Sequence, residues 1–169
     1  MPPIIFFLLQ FAVLAYALLG GVFLAFSDFI MRSLAHTSGT GGVEAMQVIN
    51  REVFRWIFMV LFIGLAPLSL LISAYGGWSV GGGPGALMVL AGLVYVIGCF
   101  GVTVFFNVPM NEALAGMELG SERTQGYWTD TYLPRWTFWN SVRAVACALA
   151  SAILMFALLW LAQSSTRYA

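Results

Sequence analysis

The side chains best suited to chemistry in this 169-residue chain are a few amides, guanidinium groups and indoles. Trp136, Trp139, Asn140 and Arg143 fall at i, i+3, i+4 and i+7, so two indoles, an amide and a cation would share one helix stripe. Upstream, Asn107 and Asn111 flank Pro109, which lacks a backbone donor and biases Val108 away from helical dihedrals. A kink or break is expected there. The two amides then either aim into one interior or merely patch the kink, and Glu112 follows directly. Asp28 with Arg32 and Glu52 with Arg55 have the spacing of ordinary interfacial ion pairs. Arg51 and Arg55, also four apart, repel one another, so an acid from elsewhere or a bound anion would stabilise them.

The elements that must position these groups follow from charge placement. Residues are 61% hydrophobic and 8% charged, against about 25% charged in ordinary soluble domains. The seven basic residues are all Arg and are cancelled by seven acids, so no electrostatic footprint for nucleic acid exists. Residues 1–27, 56–111 and 144–166 carry no charge at all. A bilayer crossing takes roughly 20 apolar residues, so the outer gaps hold one span each and the middle gap two. The expected spans are 4–31, 52–75, 86–107 and 134–163, with residues 76–85 as a glycine-rich hairpin in the middle gap. Long apolar runs rather than short alternating ones favour helices over a barrel. The fold class is therefore all-α: a single integral membrane domain, a four-helix bundle in the cell membrane with polar residues clustered at one end.

That clustering is a matter of connectivity. Thirteen of the fourteen charged residues lie in windows 28–55 and 112–143, and with four spans both windows emerge on the same side. If the fourth helix starts at Pro134, Arg143 lies roughly 13 Å inside it, deep enough to face a pocket rather than snorkel. Within the first window, Val43, Met46 and Ile49 alternate helically with Glu44, Gln47 and Asn50, as in a short amphipathic helix lying across the polar end. The second window carries Tyr127, Trp128 and Tyr132, suited to an interfacial belt or to capping an apolar pocket. Ala17, Gly21 and Ala25, and likewise Ala144, Ala148 and Ala152, read as packing stripes. The first span lacks a basic leader and exceeds a signal h-region, so it is expected to be retained. Cys99 and Cys147 read as small hydrophobes, His36 stands alone, and no metal or haem spacing occurs, so no metal site and no cofactor is expected. Six Arg in the windows against one elsewhere place the windows in the cytoplasm and both termini outside.

Residues Ala45-Met46-Gln47-Val48-Ile49-Asn50, Phe106-Asn107-Val108-Pro109-Met110-Asn111-Glu112-Ala113-Leu114 and Trp136-x-x-Trp139-Asn140-x-Val142-Arg143 together resemble the DUF1772, or anthrone oxygenase-like, membrane family over most of the chain. The second and third motifs are fairly specific in this order, and the first is weak alone. The resemblance implies four membrane spans and, from some fungal relatives, oxidation of anthrones to anthraquinones without an evident metal or flavin. Many relatives carry His directly after the Asn matching Asn140, where this sequence has Ser141.

Two functions follow as expectations. In the first, a cofactor-independent oxygenase takes an acidic lipophilic molecule from the bilayer. Asp28 or Glu112 removes a proton, Arg143 with Asn107, Asn111 and Asn140 stabilises the oxyanion beside Trp139, and the carbanion reduces O₂. Asn50, Arg51, Arg55 and Trp136 bind the substrate. In the second, the same residues recognise a lipophilic or anionic ligand, or a partner helix, without catalysis. Transport would need more room than four helices provide short of a homo-oligomer.

Overall fold

Uncharged apolar runs in lipid must satisfy every backbone N–H and C=O internally, and a helix does so within one segment. The computed structural model describes residues 2–55 and 57–166, and among them there is no strand. Helix α1 covers Pro3–Ala35, α2 covers Gly41–Glu52 and ends in a tight turn Val53–Arg55, α3 covers Ile57–Val80, α4 covers Gly82–Ala115 and α5 covers Glu122–Ser164. Each of α1, α3, α4 and α5 is long and apolar enough to cross a membrane. The protein is an all-α, multi-pass membrane protein. Helix α1 packs on α3 and α5, and α4 packs on the same two, which closes a four-helix ring.

Three expected boundaries shift, each for a local reason. Helix α4 runs on through Pro109 instead of breaking. A π-helical stretch, Thr103–Asn107, precedes the proline, which then sits in the first turn of the α-helical segment Val108–Ala115, where a missing donor costs little. Val108 keeps helical dihedrals, φ −59° and ψ −48°. Helix α5 begins at Glu122 rather than Pro134, because Ser121 caps it, accepting from the Thr124 amide at 3.2 Å. Pro134 is absorbed in a second π-helical stretch, Trp128–Trp136. The glycine-rich hairpin shrinks to Gly81, at φ +67°. Gly76 and Gly85 are interhelical contacts instead, since a Cβ on Gly85 would run into the Gly76 carbonyl.

The packing stripes also shift. Ala17 and Gly21 are exposed, while the buried face of α1 lies beside them at Ala12, Tyr16, Leu19, Gly20 and Phe23. A Cβ on Gly20 would sit 3.2 Å from the Cys147 Cβ. On α5, Ala144 is buried but Ala148 is exposed. Phe7, Phe11, Leu18, Leu71 and Phe156 point outward, a surface suited to acyl chains rather than water. Inside, Tyr16 pairs with Ser69 at 2.6 Å and Tyr95 donates to the Phe62 carbonyl at 2.7 Å, so both of these buried phenols are satisfied.

Helix α2 lies across the polar end, where Val43 and Met46 join Met31, Leu114, Trp128, Tyr132 and Trp136 in a second small core. Gln47, expected on the wet face, is buried. Its Nε2 donates to the carbonyls of Leu114 at 2.8 Å and Met117 at 3.1 Å, at and just past the end of α4.

Candidate functional site

A cavity of about 490 Å³ opens beneath α2. Phe23, Phe26, Phe58, Phe62, Met46 and Ile49 make its apolar walls, and Asn50, Asn111, Thr103, Asn140 and Arg143 supply its polar points. Val22, Phe54 and Phe58 lie along its side, and Glu52 is the sole carboxylate among the described lining residues.

Arg143 is the deepest charge. It is 5% exposed, and its Nη1 donates to Thr103 Oγ1 at 3.2 Å and its Nη2 to Asn140 Oδ1 at 2.7 Å. The guanidinium lies 4.3 Å from the Phe23 ring centroid and 5.3 Å from that of Trp136, within cation–π reach of both rings. Its Nε has no partner among the described residues. No carboxylate pairs with it either, because the one ion pair among the described residues joins Arg55 to Glu52 at 3.3 Å. A buried cation lacking a counter-ion costs several kcal/mol, which an anion bound in the cavity would offset.

Asn140 sets the direction of that cation. Fully buried, it donates from Nδ2 to the Phe23 carbonyl and to Ser27 Oγ, both at 2.6 Å, so its oxygen must face Arg143. Ser141, which does not line the cavity, donates to the same Ser27 Oγ at 2.9 Å. Asn140 is therefore a positioning group with both donors occupied, not a free oxyanion donor as expected. Asn111 is the reverse case. Its Oδ1 accepts from Tyr132 Oη at 2.8 Å and Trp136 Nε1 at 2.7 Å, which leaves its amide N–H groups as the part able to serve a ligand. Asn50, from α2, donates to Tyr132 Oη at 3.2 Å, tying the covering helix to the cavity wall.

Other expected site residues lie elsewhere. Asn107 is fully buried but off the lining, and donates to the Trp136 carbonyl at 3.2 Å, joining α4 to the π-helical stretch of α5. Trp139 points away from the cavity and stacks on Phe106 with centroids 3.8 Å apart, since three residues turn the helix about 60° from Trp136. Asp28 and Glu112 are exposed and outside the lining, so neither can remove a proton inside. Arg51 and Arg55 are exposed as well, and Arg55 is spent on Glu52. Spacing does not single out Phe23, Phe26 or Thr103, it reads Glu52 only as the ion-pair partner of Arg55, and it leaves Tyr132 open between an interfacial belt and a cap on an apolar pocket. The signal for Tyr132 was present in Trp128, Tyr132, Trp136 and Asn140 at successive steps of four; the three rings form a ladder with centroids 5.4 and 6.0 Å apart.

A family model described as anthrone oxygenase matches residues 51–153, which take in Asn111, Tyr132, Trp136, Asn140 and Arg143. The chain belongs to the anthrone oxygenase family. No curated protein and no solved structure matches it. As an anthrone oxygenase-like membrane protein it carries its polar chamber mostly within the matched stretch, while Phe23, Phe26 and Asn50 come from α1 and α2 before it.

Proposed function

We propose that the protein is a cofactor-independent oxygenase that takes an acidic, lipophilic, anthrone-like or enolisable aromatic molecule into this chamber. The observation that carries the reading is Arg143, a buried guanidinium without a carboxylate partner, held between aromatic rings at the wall of an otherwise apolar cavity. A planar substrate arrives from the bilayer past Val22 and Phe54 and lies among the phenyl rings, its ring oxygen toward Arg143 and the Asn111 amide. Those donors stabilise the enolate, worth about 10²–10³ in rate per well-placed donor. With Asp28 and Glu112 outside, Glu52 at the mouth receives the proton. The carbanion then passes an electron to O₂, and the radical pair combines to a hydroperoxide. Loss of water leaves a carbonyl: one CH₂ and one O₂ give one C=O and one H₂O.

The test is oxygen uptake by the purified protein with anthrone. Uptake unaffected by chelator, with an oxidised product, and lost in Arg143→Ala supports the reading; equal rates in wild type and Arg143→Ala remove it. A second reading, ligand binding without catalysis, is favoured by one observation: Glu52 is exposed and already paired with Arg55. Mass spectrometry of extracted ligand separates the two, because a binder returns its ligand chemically unchanged.

A further inference from the structure

Two successive polar rungs join α4 to α5. In the first, Arg143 Nη1 donates to Thr103 Oγ1 at the chamber wall. In the second, one helical turn deeper on both helices, Cys147 Sγ donates to Cys99 Sγ at 3.3 Å, and both thiols are fully buried. The rungs are tied together, because Thr103 Oγ1 also donates to the Cys99 carbonyl at 2.8 Å. The helices nearly touch at this level: a Cβ on Gly98 would lie 2.8 Å from the Cys147 neighbour Ala146, at its Cβ. Close backbone approach is what a disulfide requires, with Cα atoms about 4.4–6.8 Å apart.

We propose that Cys99 and Cys147 are a redox-active dithiol, oxidised by a small peroxide that enters through the chamber, and that the resulting bridge draws the Arg143–Thr103 rung inward and weakens anion binding. Neither sulfur lines the chamber, so a molecule the size of hydrogen peroxide crosses the one helical turn, about 5.4 Å, between them when the Arg143–Thr103 rung opens. One thiol attacks a peroxide oxygen, the O–O bond breaks, and a sulfenic acid and water form; the second thiol displaces the hydroxyl as water and the S–S bond closes. In total two thiols and one hydrogen peroxide give one disulfide and two waters. The sulfurs lose two electrons and the peroxide oxygens gain them.

The chain has two cysteines, so the number of maleimide adducts counts the free thiols directly, whatever oxygen the eight Met take up. The full-length protein in detergent is treated with hydrogen peroxide, denatured, alkylated with N-ethylmaleimide and weighed intact. A monomer lighter by two hydrogens that takes no adduct, and two adducts after dithiothreitol, is the expected result. Two adducts after peroxide, separate sulfinic acids, or a disulfide-linked dimer would overturn the dithiol. The coupling half rests on the chamber as an anion site and is read by fluorescence titration with anthracene carboxylate. About fivefold weaker binding by the oxidised form is expected, and equal affinity overturns the coupling. Failure of the reduced protein to bind the probe at all counts instead against the anion site, which keeps the two proposals separable.

Discussion

A guanidinium between two rings differs from an ammonium in shape more than in charge. Arg143 meets Thr103 and Asn140 with separate nitrogens while its central carbon lies 4.3 Å from the Phe23 centroid, which a tetrahedral Lys head cannot reproduce. Arg143→Lys keeps the net charge but loses the fork, so anthracene carboxylate should bind about tenfold more weakly in a fluorescence titration, a loss of about 1.4 kcal/mol. Unchanged affinity would mean that a point charge suffices and that the fork is structural. That Trp136, Asn140 and Arg143 share a face was legible from their helical spacing, and the cavity lining adds Asn111 and Asn50 to them. Trp139, Asp28, Glu112, Arg51 and Arg55 carried the same apparent promise, yet their fate depended on helix rotation and on where the surface begins, neither of which spacing alone fixes. The exposed acids leave Arg143 as the residue on which the anionic reading turns.

Helices position these groups through two devices, a cover and close backbone contacts. The cover is α2, pinned by Gln47 to the carbonyls of Leu114 and Met117. Gln47→Ala removes both donors from a buried site, at a cost of about 1–3 kcal/mol. Hydrogen exchange should then accelerate in residues 41–52 while the interior of α3 is unaffected; uniform exchange in both would show that apolar burial of Val43 and Met46 holds the cover by itself. The close contacts are the glycines between α3 and α4. A Cβ on Gly92 would collide with Ser73 Oγ and the Ser69 backbone, whereas Gly64 faces open space. Gly92→Ala should therefore lose about 1–3 kcal/mol, seen as a lower Tm in detergent, and Gly64→Ala should be neutral or slightly stabilising. The existence of the four spans was readable from charge-free runs, but their ends were not. Prolines 109 and 134 are breakers in isolation, and the π-helical stretches that accommodate them depend on neighbours, such as the Asn107 amide on the Trp136 carbonyl.

At the scale of the molecule, the asymmetry between its two ends decides how it sits in the membrane. The end of α1, all of α2, the start of α3, the end of α4 and the start of α5 meet at one pole, while the Gly81 turn lies at the other. That convergence followed from the two charged windows. Arg143, whose place in the fourth span already pointed to a pocket, is buried and drops out of any topological count. Arg32, Arg51, Arg55, Arg123 and Arg135 remain, all exposed and all at the polar pole. Translocation disfavours Lys and Arg near span ends, so this pole should face the cytoplasm. A cysteine introduced by His36→Cys, in the exposed turn between α1 and α2, should react with a membrane-impermeant maleimide only after permeabilisation; Cys99 and Cys147, fully buried, leave the background low. Labelling from outside intact cells would invert the orientation. The chamber mouth beneath α2 would then open toward the exterior leaflet, and a lipophilic substrate would have to be drawn from that side.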